Sequence, residues 1–270
     1  REDLMKRILI VIDGSANDAE SLTSARNLAL LTGAQLTVVH ARIPHHTIMG
    51  YGEMTFVGNE GDRPAEDQRR AEAAFNEVCG DLPGGRFLIY EASSDTIIAS
   101  LGYAYDLILV ERLSHEDGPE ADQLNAALFE TGRPVLLIPP RAEGASVERS
   151  AVAWNGTMQN SRAIKSALPL LRAAKDIVLL QGSGAGATDM APMLEYFAAH
   201  DLSAKVGAYD SERLTARARG RALIAAACDI DATLLVTGAF GEGQRGALTG
   251  LGRATRKIVT AAPFSVLLQS

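Results

Sequence analysis

The residues best suited to hold a charged ligand lie in a glycine-rich stretch near the end of the chain. Gly238 and Gly241 follow a strand-like apolar run, and Gly252 and Arg253 open a helical pattern. Glycine lets a backbone approach a phosphate closely, helix N-terminal amides carry partial positive charge, and arginine can bind phosphate through two parallel hydrogen bonds. The stretch therefore predicts a phosphate-binding loop. A flexible surface loop has the same composition, and the spacing matches neither generic phosphate-loop motif.

A short polar turn follows the first predicted strand in each half of the chain. The turns are Asp13-Gly14-Ser15 and Asn155-Gly156-Thr157. In open parallel sheets, ligands bind beyond the carboxyl ends of the strands where the winding reverses, so these side chains could contact a base or a ribose. The same residue types also form turns and cap the helix that follows, and that second interpretation is favoured.

Two other features also allow two interpretations each. Trp154 ends a predicted strand, where it either packs in the core or stacks on a base, and the core is favoured. The arginines at positions 213, 217, 219 and 221 form a basic run. This run is most simply a solvated helix face, although an acidic partner could dock there.

Composition and spacing argue against several classes of function. No Ser/His/Asp or Cys/His set, carboxylate pair or metal-ligand spacing predicts catalysis, so neither a catalytic residue nor a metal site is expected. A net charge of −7 argues against a nucleic-acid partner. No apolar run approaches the roughly 18 residues of a membrane-spanning helix. Cys79 and Cys228 are expected to be buried and reduced, which fits a cytoplasmic location.

The chain repeats one pattern in its two halves. The runs R-I-L-I-V-I-D, at Arg7–Asp13, and S-A-V-A-W-N, at Ser150–Asn155, each lead into one of the polar turns. Since solenoid repeats are only roughly 20 to 50 residues long, a repeat of half the chain indicates two tandem domains. The Pro139–Ser146 segment predicts the boundary, which gives domains at 1–142 and 143–270. Residues 44–64 are predicted to be a long loop of unassigned role.

Near-continuous Val, Ile and Leu runs alternate with helical patterns in both halves. This alternation predicts two doubly wound α/β domains with parallel sheets. Strands are predicted at 7–12, 35–40, 86–90, 106–111, 134–138, 150–154, 176–181, 204–208, 232–237 and 264–268. Helices are predicted at 17–31, 65–79, 94–102, 120–131, 159–174, 188–200, 211–228 and 253–260.

Nearly the whole chain resembles a tandem universal stress protein. The matching pieces are I-L-I-V-I-D-G-S at Ile8–Ser15, L-T-V-V-H at Leu36–His40, V-T-G-A-F-G at Val236–Gly241, Gly252, and the final A-P-F-S-V-L-L. The resemblance implies the strand order 3-2-1-4-5 in each domain, which brings the polar turn and the glycine loop to one crevice. It also implies ATP or another adenine nucleotide as ligand, with the turn on the nucleoside and the glycine loop on the phosphates. The fifth strands, Val135–Ile138 and Val266–Leu268, are then expected to pair antiparallel and join the domains as an intramolecular pseudo-dimer.

The two halves depart from the family pattern in different ways. The first half keeps Asp13 and Gly14, but Glu111–Gly118 replaces the glycine loop, and its acidic side chains together with Glu120 predict a vestigial site without nucleotide. The second half places Gly252 one residue late, has Arg253 in place of a hydroxyl residue, and has asparagine in place of the aspartate. The nucleotide-binding residues predicted there are Asn155, Gly156, Gly238, Gly241, Gly252 and Arg253.

Two functions follow from these observations. The leading hypothesis is a cytoplasmic stress-response protein that binds an adenine nucleotide in domain 2 and acts by binding and signalling, with at most slow ATP hydrolysis. The alternative is a nucleotide-free scaffold that binds proteins or a small metabolite because both sites are degenerate. Two chains could also associate as a homodimer. The sequence specifies neither the stress nor a protein partner.

Overall fold

A computed structural model describes residues 5–42, 63–139, 144–184, 188–239 and 251–270. The strands are β1 (Arg7–Ile12), β2 (Gln35–Ala41), β3 (Arg86–Tyr90), β4 (Leu107–Glu111), β5 (Val135–Ile138), β6 (Arg149–Ala153), β7 (Asp176–Gly182), β8 (Lys205–Tyr209), β9 (Leu234–Gly238) and β10 (Ser265–Gln269). The helices are α1 (Asp18–Thr32), α2 (Arg63–Cys79), α3 (Ser94–Leu101), α4 (Pro119–Glu130), α5 (Met158–Leu171), α6 (Ala191–Ala199), α7 (Ala216–Asp229) and α8 (Arg253–Ala261).

These strands form one continuous sheet in the order β3-β2-β1-β4-β5-β10-β9-β6-β7-β8. Each half therefore has the order 3-2-1-4-5, and all pairs within a half are parallel. The halves meet where β5 and β10 pair antiparallel, with Leu136 opposite Leu267. The predicted duplicated α/β fold and the pairing of the fifth strands are confirmed. The division at residue 142 stays a prediction, since residues 140–143 lie outside the described ranges.

The inner strands are largely buried because helices cover both faces of the sheet, whereas the edge strands β3 and β8 are largely exposed. Along β1, Ile8, Ile10 and Ile12 point into one apolar layer, while Leu9 and Val11 point into the other. Both layers contain residues from both halves of the chain. This burial on two faces explains why the strands are continuous apolar runs rather than alternating ones.

The helix predicted to begin at residue 211 begins at Ala216, so that prediction is wrong at its start. Arg213 has a left-handed backbone with φ of +58°, which a helix cannot contain. Thr215 then caps α7, because its hydroxyl accepts a hydrogen bond from the amide of Ala218 at 3.3 Å.

The cysteine prediction holds for one residue of the two. Cys79 is buried, whereas Cys228 is exposed on α7, so the expectation that both are buried is wrong. Among the described helices, none is both long and apolar enough to cross a bilayer. Of the predicted loop at 44–64, residues 44–62 lie outside the described ranges.

Candidate functional site

A cleft of about 860 Å³ opens in the second half, beyond the carboxyl ends of β6, β7, β8 and β9. The structure brings four of the six predicted residues to it: Asn155, Gly238, Gly252 and Arg253. Gly156 does not line the cleft; a side chain there would contact Thr188. Gly241 lies outside the described residues. The turn after β6 and the loop after β9 therefore border one crevice, as the strand order requires.

The turn after β6 has the structure expected of a capping turn. The Oδ1 atom of Asn155 accepts hydrogen bonds from the Thr157 amide at 3.1 Å and the Thr157 hydroxyl at 2.7 Å. The Thr157 hydroxyl in turn caps α5. The favoured turn interpretation describes this oxygen correctly. The Asn155 amide nitrogen has no partner among the described residues, so it remains able to donate into the cleft.

Asn160 connects the two sides of the crevice, and sequence reasoning did not identify it. It is buried on the first turn of α5. Its amide nitrogen donates to the carbonyl of Ala153 at 2.5 Å, and its Oδ1 atom accepts from the backbone amide of Gly238 at 3.1 Å. One side chain therefore fixes the end of β6 against the start of the glycine loop.

The start of α8 directs backbone donors toward the cleft. Gly252 occupies the N-cap position, and no side chain among the described residues caps the helix. Arg253, Ala254 and Thr255 follow it and all line the cleft. The first amides of a helix have no partner within it, so this end favours an anion.

The lining of the cleft is positively charged although the whole chain is acidic. In the described part of the chain, its charged residues are Arg213, Arg219, Arg253 and Glu212. The three arginines make no hydrogen bond or ion pair with any described residue. Three cations against one carboxylate, on a chain with a net charge of −7, predict an anionic ligand.

Trp154 partly packs against the core and also lines the cleft. Its indole nitrogen is buried and has no hydrogen-bond partner in the described part of the chain. The core interpretation is therefore right for one part of the ring, while another part borders the cleft.

The equivalent crevice of the first half carries carboxylates at the corresponding positions. Asp13 corresponds to Asn155, Asp18 to Asn160, and Glu111, the last residue of β4, to Gly238 at the end of β9. Asp18 accepts hydrogen bonds from the Gly14 amide at 2.9 Å and the Ser15 hydroxyl at 3.1 Å. Burial, together with the nearby charge of Asp13, raises the pKa of Asp18 to about 6. Burial also raises the pKa of Glu111, which accepts a hydrogen bond from Ser21 at 2.5 Å.

The helix after this crevice also disfavours an anion. Gly118 and Pro119 begin α4 where Gly252 and Arg253 begin α8. Proline has no amide hydrogen, and the first turn carries Glu120 and Asp122. The predicted acidic loop is therefore present, but one of its carboxylates does not face the crevice of the first half. The Glu116 carboxylate instead lies 3.9 Å from the Arg217 guanidinium and 3.8 Å from the Arg256 guanidinium in the second half.

The turn at Asp13 and Gly14 lies beneath α2. A side chain at Gly14 would overlap the backbone of Asp67, and Arg70 donates to the Gly14 carbonyl at 2.9 Å. Among the described residues, no group of three His, Cys, Asp or Glu side chains is placed to hold a metal ion.

Comparison with solved structures identifies the class of fold. A universal stress protein from Archaeoglobus fulgidus DSM 4304 superposes with a TM-score of 0.71 at 16% identity, covering 98% of both chains. A putative universal stress protein from Pseudomonas aeruginosa UCBPP-PA14 gives 0.58 at 15% identity, covering 99% of this chain and 94% of its own. The chain has the tandem universal stress protein fold.

The fold alone does not determine function. The cytoplasmic domain of a prokaryotic cation chloride cotransporter superposes with a TM-score of 0.50 at 12% identity, covering 98% of this chain and 95% of its own. No protein-family model matches the chain, and neither does any curated protein sequence. The residues of the cleft must therefore carry the functional interpretation.

Replacing Arg213 by asparagine should stabilise the protein by about 1 kcal/mol, because asparagine tolerates the left-handed backbone better than arginine does. Thermal and urea unfolding at pH 7.5 would measure the gain. Arg221→Asn, on the exposed surface of α7, is the control and should lower stability slightly through helix propensity. Equal losses for both variants would contradict the assigned strain.

Proposed function

We propose that this chain is a tandem universal stress protein that binds an adenine nucleotide, with ATP as the first candidate, in the cleft of its second half. The observation that carries the proposal is the start of α8, which no described side chain caps and which lines a cleft of about 860 Å³ together with Arg253 and Gly238. Ligand sites typically enclose about 300–1,000 Å³, and the volume of this cleft lies in that range, which suits a ligand the size of a nucleotide.

The residues divide into two groups by their chemistry. Gly238, Gly252 and the amides that begin α8 are assigned to the phosphates, with Arg253 supplying charge-assisted hydrogen bonds. Asn155 is assigned to the nucleoside, through its amide nitrogen, which no described residue engages. Gly241 is included with the phosphate group on the sequence pattern alone.

The first half is proposed to be a structural partner without nucleotide. Asp13, Asp18 and Glu111 place carboxylates where the second half has two amides and a glycine, and a phosphate chain would be repelled there. We further propose that the protein acts in the cytoplasm by binding and signalling, with at most slow ATP hydrolysis, and that two chains can form a homodimer.

Titration of the purified protein with labelled ATP tests the proposal. Gly238→Val should lower the affinity at least tenfold, because a side chain there would meet the Asn160 carboxamide oxygen at 2.6 Å and block the phosphate loop. Arg253→Met should lower the affinity by a similar factor through loss of a charged hydrogen bond, about 1.5–3 kcal/mol.

Arg253 is exposed and unpaired among the described residues, so its replacement leaves folding unchanged and serves where Gly238→Val fails to fold. Equal weak binding by the wild type and both variants would reject the site. The alternative, a nucleotide-free scaffold, is distinguished by native mass spectrometry of the protein as purified. A retained adenine nucleotide supports the proposal, and its absence together with failed titration supports the scaffold.

A further inference from the structure

The cleft extends well beyond the place assigned to the phosphates. It runs from Gly238 at the end of β9, past β6 and β7, to Tyr209 at the end of β8. Neighbouring strands lie about 4.8 Å apart, so three spacings give a length of roughly 14 Å. The far end therefore has room for a further part of the same ligand.

Arg219 lies near the far end of the cleft. Burial raises the pKa of Tyr209 at that end, and the nearby charge of Arg219 opposes the rise. The residue after Arg219, Gly220, packs so closely on α8 that an added Cβ would lie 2.6 Å from the carbonyl oxygen of Ala254. This contact fixes the rotation of α7 and directs Arg219, rather than Arg217 or Arg221, to the lining.

Arg213 lies at the far end of the cleft, in the loop after β8. Hydrogen bonds join this loop to the loop after β7. The Ser211 hydroxyl donates to the Ser183 carbonyl at 2.7 Å, and the Ser211 amide donates to the Ser183 hydroxyl at 3.1 Å. Arg213 follows this link with φ of +58°. Left-handed backbone at a long side chain costs stability, and such strain concentrates at ligand-binding positions.

No residue in the described ranges pairs with the guanidinium group of Arg213 or Arg219. Neither forms an ion pair with a described residue, although Asp210 and Glu212 lie close in sequence. The Asp210 carboxylate instead accepts hydrogen bonds from the Ser183 hydroxyl at 3.2 Å and the Glu212 amide at 3.1 Å. Two guanidinium groups at a cleft whose described lining includes one carboxylate are suited to a dianionic group.

We propose that Arg213 and Arg219 form a second phosphate subsite, so that the cleft takes a nucleotide phosphorylated at two separate positions, such as an adenosine 3′,5′-bisphosphate. This rests on the proposed function, since the first phosphate occupies the start of α8. A nucleotide with its one phosphate chain at the start of α8 and its nucleoside at Asn155 would leave Arg213 and Arg219 without an anionic group to bind. A second phosphate on the ribose supplies that group while the nucleoside keeps its place between the two ends of the cleft.

The test compares ADP with adenosine 3′,5′-bisphosphate, which carry two phosphates each and differ in where the second is attached. Trp154, the one tryptophan of the chain, lines the cleft and reports binding by its fluorescence. The bisphosphate should bind about tenfold tighter than ADP, since charge-assisted hydrogen bonds are the strong ones. Arg219→Met and Arg213→Met should each reduce this preference to near unity.

Arg221→Met is the matched control, since Arg221 lies on the same helix and does not line the cleft. It should keep the full preference. Equal affinity for the two ligands in the wild type would overturn the second subsite while leaving the proposed function standing, and so would a preference that survives both arginine variants. Binding of neither ligand would overturn the proposed function and this inference together.

Arg253→Met should lower the affinity for ADP and for the bisphosphate by the same factor. A loss confined to the bisphosphate would contradict the assignment of the two ends of the cleft.

Discussion

Replacing Asp18 by asparagine should raise the free energy of unfolding by about 2 kcal/mol at pH 7.5. Burial, with Asp13 nearby, raises the pKa of the Asp18 carboxyl from 3.8 to about 6, so above pH 6 the folded protein holds an unfavourable buried charge. A shift of about two units corresponds to about 3 kcal/mol, and the loss of a favourable charge at the start of α1 reduces the gain. Asn160 shows that an amide fits the equivalent position of the second half.

The raised pKa of Asp18 also determines how the free energy of unfolding changes with pH. The folded pKa of Asp18 lies above the unfolded value, so the folded state binds the proton more tightly. The stability linked to this group is fully present below about pH 4 and is lost as the pH rises from about 4 to 6. The wild type should therefore lose stability over that range, whereas Asp18→Asn should show only the smaller slope left by Glu111, whose pKa is also raised.

Urea unfolding at half-unit steps from pH 4 to pH 8 would measure both effects. Asp13→Asn is the matched control, because Asp13 is the same residue type in the same crevice but is exposed. It should give less than half of the gain. An Asp18→Asn protein that is less stable than the wild type at pH 7.5, with an unchanged pH profile, would disprove the buried charge.

The fold could be predicted because both halves of the sequence carry the same alternation of apolar strand-like runs and helical patterns. Short continuous apolar runs such as Arg7–Ile12 and Leu234–Gly238 are typical of strands in a parallel sheet whose two faces are both covered by helices. Helix starts were harder to predict. The beginning of α7 depends on a left-handed residue at Arg213, and no composition rule places arginine there.

The parts of the candidate site that could be predicted are those where a backbone role requires a particular residue type. Gly238, Gly252 and the polar turn at Asn155 are examples. Asn160 was missed because an amide in a helical pattern looks like any other polar surface position. Comparing the halves could have found it, since Asp18 and Asn160 occupy the same place in each copy. Arg219 could not be separated from its neighbours, because the packing of Gly220 on α8 decides which arginine faces the cleft.

Replacing Asn160 by alanine should lower the free energy of unfolding by about 3 kcal/mol. The change leaves the Ala153 carbonyl and the Gly238 amide buried without their partner, and each such group costs about 1–3 kcal/mol. For a chain of this size, thermal unfolding should shift down by roughly 6–12 °C. The phosphate loop also loses its anchor, so the variant should bind ATP at least tenfold more weakly under conditions where it remains folded.

Met158→Ala provides the control, since Met158 begins the same helix and the residue is 59% exposed. It should change stability by less than about 0.5 kcal/mol. Asn160→Asp separates hydrogen bonding from charge, because a carboxylate oxygen would face the Ala153 carbonyl, which accepts the Asn160 amide at 2.5 Å in the wild type. The aspartate variant should lose stability as the pH rises above about 4, the behaviour also expected of Asp18 in the first half. If the alanine variant were as stable as Met158→Ala, Asn160 would not be what holds the two loops of the cleft together.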